Sequence, residues 1–145
     1  FIGLAIESHE KTARQINRRD TRSPYRKSEY VRYAVEYMEN NYASTSVADV
    51  ADYLSIDRSY LSAIFRQIQG ISPNECLLRI RMTKSIHFLQ NPAMPIREIA
   101  RQVGYDDALT FSKAFKRFFG VSPRGYREMP IEQRPELETV IQGRK

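Results

Sequence analysis

The chain has 145 residues, 41% of them hydrophobic, enough for one domain or two small lobes around a modest core. A formal net charge of +6 and a pI near 9.6 suit a phosphate-rich partner, an anionic membrane surface or an acidic protein. A single cysteine, Cys76, excludes an internal disulfide, the two histidines His9 and His87 lie too far apart to suggest a zinc cluster, and no apolar run approaches the roughly 20 residues of a membrane span.

The chain begins at Phe1 without a methionine and shows no signal-peptide pattern, so it is expected to be a fragment. Residues 2–19 read as a weakly amphipathic helix, with Ile2, Ile6, His9, Ala13 and Ile16 spaced by threes and fours. This stretch is either the last helix of a missing upstream domain or a solvated arm. Residues 17–27 form a basic linker around Ser23-Pro24, carrying Arg18, Arg19, Arg22, Arg26 and Lys27. From 29 to 42 the pattern is clearly helical, with Val31, Ala34, Val35, Met38 and Tyr42 on the face expected to cover the next elements.

Ser46 opens the following helix, with Asp49 at the position of a capping box. Its apolar stripe is Val47, Val50, Ala51 and Leu54, and a second helix carries Leu61, Ile64, Phe65 and Ile68 at the same spacing, all four expected to be buried. Ser72-Pro73-Asn74-Glu75 is a stronger start signal, with Ser as N-cap, Pro at the first helical position and Glu three residues past the cap. The helix it opens runs to Leu89 and stops before Asn91-Pro92, spanning about 25 Å at about 1.5 Å per residue. Cys76 and His87 lie in it and are assigned to packing or solvation.

The stretch 94–126 repeats the first pair. Ile96, Ile99, Ala100 and Val103 match Val47, Val50, Ala51 and Leu54, and Phe111, Ala114, Phe115 and Phe118 match the second stripe after one extra turn residue. Gly104 suits the left-handed stop between the helices, and Asp106 and Asp107 are expected to cap the next one. Both copies close with Gly, an aliphatic residue, Ser and Pro: Gly70-Ile71-Ser72-Pro73 and Gly120-Val121-Ser122-Pro123. Two short helices joined by a tight turn, present twice, form a duplicated helix-turn-helix pattern. A last short helix follows Ser122-Pro123, and the tail after Pro130 is expected to be partly disordered.

Residues 29–129 resemble the DNA-binding domain of the AraC/XylS family of bacterial transcription regulators. The resemblance rests on Ile96-x-x-Ile99-Ala100-x-x-Val103-Gly104-Tyr105, Phe111-Ser112-x-x-Phe115-Lys116-x-x-Phe119-Gly120, Ser122-Pro123-x-x-Tyr126-Arg127, the degenerate first copy and Arg81. It implies an all-α fold of seven helices, with two helix-turn-helix subdomains joined by a long linking helix. It also implies a separate effector-binding or dimerisation domain upstream, recruitment of RNA polymerase, and a cytoplasmic, nucleoid-associated protein. The expected divisions are 1–27 for the end of that upstream domain and the linker, 28–90 for the first subdomain with the linking helix, 91–129 for the second and 130–145 for the tail.

The faces opposite the apolar stripes point to groove reading. Ser59, Ser62, Ala63 and Arg66 line one, and Ala108, Leu109, Ser112 and Lys113 the other; these are the expected base contacts. Arg66 and Lys113 can donate to guanine, the serines can bond several bases, and Ala63 or Leu109 can meet a thymine methyl. Arg58, Tyr60, Thr110, Lys116 and Arg117 are better placed for phosphates. The linking helix would present two readers to major grooves that recur about 34 Å apart, and a shorter separation would require bent DNA. The rival reading is a helical protein-binding adaptor, which two copies at this period fit poorly as a solenoid. No acid pair, Cys/His couple, glycine-rich phosphate loop or metal-ligand spacing suggests catalysis, and no cofactor or metal is expected.

Overall fold

A computed structural model describes residues 25–134. The expected helix over 2–19, most of the basic linker and the end of the tail lie outside the described residues. Within them the chain forms seven α-helices and no strand: α1 (Lys27–Asn41), α2 (Val47–Leu54), α3 (Arg58–Gln69), α4 (Pro73–Leu89), α5 (Ile96–Gln102), α6 (Ala108–Phe119) and α7 (Pro123–Glu128). A 3-10 turn, Ile131–Gln133, follows. None of these helices is long and apolar enough to cross a membrane.

The helices sort into two units, and the divide falls inside α4 between Leu77 and Leu78. The physical reason lies in α4 itself. Met82, Ile86 and Leu89 belong to the core of the second unit, while the helix up to Leu77 groups with the first. Serving two cores, α4 carries apolar residues on more than one side and lacks the single stripe of a surface helix.

In the first unit α1 lies across α2 and α3 and buries Tyr30, Val31, Ala34 and Met38. Val50, Ala51 and Leu54 of α2 and Leu61, Ile64 and Phe65 of α3 complete the core. Each large apolar side chain withdrawn from water in this way contributes about 1.5–3 kcal/mol before entropy is counted. Two expectations are corrected here. Tyr42 lies beyond the end of α1 and packs on the second core, with its carbonyl accepting from Arg81 Nε at 2.7 Å. Ile68 is 41% exposed, because it sits in the last turn of α3 between Gln67 and Gln69, which are exposed as well. Its counterpart Phe118 is buried against Phe119 at 4.9 Å.

The second unit is an aromatic core. Phe115 has ring neighbours in Phe111, Phe119 and Tyr126 at 5.7, 4.6 and 5.9 Å, and Ile99, Ala100 and Val103 of α5 close over them. After α7 the chain is held down, so the start of the expected disordered tail is ordered. Arg134 donates to the carbonyls of Met129 and Arg127 and to Gln90, and lies over the Tyr126 ring.

Candidate nucleic-acid interface

Both helix-turn-helix turns are built from the same hydrogen bond. Ile56 N–H donates to Ala51 O at 3.1 Å and Tyr105 N–H to Ala100 O at 2.9 Å, each reaching back over a left-handed residue. That pattern satisfies carbonyls which the helix end would otherwise leave open. The left-handed residue is Ser55 (φ 58°) in the first unit and Gly104 (φ 103°) in the second. Glycine is required in the second, since a Cβ there would meet the Ala43 carbonyl oxygen at 2.7 Å.

The next helix in each unit starts differently. Asp107 is the N-cap of α6, accepting from Thr110 N–H at 2.7 Å and from the Thr110 hydroxyl at 3.1 Å. The Thr110 backbone and hydroxyl bonds hold the Asp107 carboxyl below the usual carboxylate range, with Lys113 adding to the effect. Asp106, expected to cap beside it, is the extra residue of the turn and stands exposed. Asp57, the counterpart in α3, makes no side-chain cap bond. The turn of the second unit is further filled by Tyr105, whose ring packs on Phe111 at 5.7 Å under the Arg81 guanidinium. Burial pushes the Tyr105 phenol up.

With Leu61, Ile64 and Phe65 inward, α3 leaves Ser59, Ala63 and Arg66 exposed and Ser62 partly so. Arg58 is exposed at the helix start, while Tyr60 is half-buried with its ring edge on Tyr30. Gln67 also stands exposed, within 3.5 Å of Lys27 Nζ. Its position four residues after Ala63 puts it on the same exposed side of the helix. In α6 the aromatic face turns inward and leaves Lys113, Lys116 and Arg117 exposed. Leu109 is 65% exposed, Ser112 and Ala108 are half-buried, and Thr110 is exposed with its hydroxyl engaged by Asp107. In each unit the expected base contacts lie on the second helix away from its buried stripe, whereas Tyr60 leans on Tyr30 and the Thr110 hydroxyl is taken by Asp107. The charged tips that groove reading needs, Arg66 and Lys113, are open to solvent.

Residues 50–129 match the family model described as a helix-turn-helix domain. This chain belongs to the AraC-type helix-turn-helix family. The AraC-type region is 42% identical over 100 residues to the Msm operon regulatory protein of Streptococcus mutans, covering 68% of this chain and 36% of that protein. It is 40% identical over 101 residues to the lactose operon transcription activator of Staphylococcus xylosus, covering 69% of this chain and 36% of that one. Among solved structures it is similar to the C-terminal domain of AraT, a response regulator from Geobacillus stearothermophilus. That match has a TM-score of 0.67 and 38% identity over 77% of this chain and 96% of that one. The chain spans little more than a third of the length of these curated relatives. Arg81, part of the AraC-type pattern, serves the fold here by tying the Tyr42 carbonyl and the Tyr105 ring to α4.

Proposed function

We propose that this AraC-type domain is a sequence-specific reader of duplex DNA that regulates transcription, with α3 and α6 entering major grooves. One observation carries the proposal: in each of two duplicated units the second helix buries its aromatic or aliphatic stripe and leaves a face of small, polar and cationic residues exposed. Small side chains let backbone approach base edges, and cations meet guanine or phosphate. Ser59, Ser62, Ala63, Arg66, Ala108, Leu109, Ser112 and Lys113 are the proposed base contacts. Arg58, Tyr60, Thr110, Lys116 and Arg117 are the proposed phosphate contacts.

Activation by recruiting RNA polymerase is part of the reading, supported by the activator name of the Staphylococcus relative. Because the curated relatives extend well beyond the matched region, the domain is expected to work joined to an effector-binding or dimerisation domain, in the bacterial cytoplasm. A sugar or similar metabolite is the proposed effector class, supported only by the lactose operon in the name of the Staphylococcus relative. Groove reading by hydrogen bonds and charge calls for no cofactor and no catalytic step.

In vitro selection from a random duplex library tests the function. Enrichment of one site whose affinity falls steeply between 50 and 200 mM salt is the expected result. A protein-binding adaptor would enrich no sequence.

A further inference from the structure

We propose that the two units divide the electrostatic work unequally: beside its base contacts the second supplies most of the sequence-independent grip on phosphates, and the first discriminates bases while adding little net electrostatic affinity. The inference rests on the DNA-binding reading above. Counted over the sequence, the first unit (residues 1–41 and 45–77) holds ten Lys/Arg and ten Asp/Glu, and the second (42–44 and 78–145) thirteen and seven. The whole net charge of +6 therefore belongs to the second unit. Among the described residues the contrast is sharper, with five cations against seven acids in the first unit and eleven against five in the second.

The placement of these charges supports the same division. Helix α6 contains no acid and exposes Lys113, Lys116 and Arg117, and α7 exposes Arg124. Arg127 is fixed by the carbonyls of Leu89 and Asn91, and a carbonyl orients a guanidinium without cancelling its charge. In the first unit the cations of α3 share their lobe with exposed Glu36 and Glu39 of α1 and Asp49 and Asp52 of α2, which repel phosphate. Each neutralised phosphate steepens the salt dependence of log K by about 0.9, so the unit that carries the net positive charge should own most of that slope.

Salt titrations of the full chain, on its selected duplex and on a scrambled one, decide the matter. The triple variant Lys116→Gln, Arg117→Gln, Arg124→Gln should flatten the slope by about 2.7 on both duplexes and leave the ratio of specific to scrambled affinity unchanged. The double variant Arg58→Gln, Arg66→Gln should flatten it by about 1 at most and cut that ratio about tenfold or more. All five positions are exposed, and far-UV circular dichroism confirms that each variant folds. Equal flattening by the two variants overturns the division of labour, as does a larger flattening from neutralising Arg18, Arg19 and Arg22. Salt-insensitive binding of the unaltered chain to both duplexes overturns the DNA-binding reading itself, and this inference with it.

Discussion

Gly104 stands at φ 103° beside the Ala43 carbonyl, so two penalties fall on one atom: a Cβ would be strained by the backbone and would collide with main chain. Gly70 and Gly120, which end α3 and α6, also have positive φ but open space where a Cβ would go. Gly120→Ala should therefore cost about 1–2 kcal/mol, the ordinary price of the left-handed region, and Gly104→Ala more, on the order of 3 kcal/mol. Urea unfolding of both variants measures the difference, and equal losses would mean that the Ala43 contact relaxes freely. Lys113 and Lys116 lie three residues apart, neighbours on the helix surface, yet are assigned different tasks. Lys113→Ala should cost roughly 1–3 kcal/mol of binding and relax selectivity at one base pair. Lys116→Ala should weaken all sequences alike and lower the salt slope by about 1. Competition binding against single-base variants of the site separates the two, and uniform losses from both would refute the assignment.

Helix starts decide where each reader begins, and the two units achieve this by different chemistry. In α2 the Ser46 hydroxyl accepts from Asp49 N–H at 3.1 Å while the Asp49 carboxylate accepts from Ser46 N–H at 3.1 Å, a reciprocal capping box. Asp49 fills the role usually given to Glu or Gln because the two backbones are close enough for its shorter side chain. Helix α5 has Pro95 at its N-cap and no side-chain bond there, and its Glu98 is instead engaged by Gln102 and Arg101, which hold that carboxyl below the usual range. Ser46→Ala should accordingly destabilise the first unit by about 1 kcal/mol. Hydrogen exchange of the α2 amides reports it locally, and protection identical to the parent chain would show that the cap is dispensable.

At the scale of the whole molecule the open quantity is the path of the DNA. Major grooves on one face of straight duplex recur about 34 Å apart, and smooth bending costs on the order of 1–6 kcal/mol. The proposed pair of readers predicts protection in two patches about one helical turn apart, with gel-mobility phasing reporting a bend if the readers stand closer than the grooves. Protection confined to a single patch would mean that only one unit reads. Much of the architecture was legible in advance because local rules decide it. Period-3.6 stripes, Ser-x-x-Asp and Ser-Pro starts and glycine stops depend on residues within a turn or two, and they placed α4 from Pro73 to Leu89 as found. The outward faces of α3 and α6 followed from the same stripes, since a helix that buries one side must expose the other. What only the tertiary structure decided were the matters that depend on distant partners. Tyr42 joins the second core, Ile68 is left exposed, and α4 divides between two cores at Leu77. An apolar residue in the sequence states only that it can be buried; whether another element arrives to cover it is set by residues far along the chain.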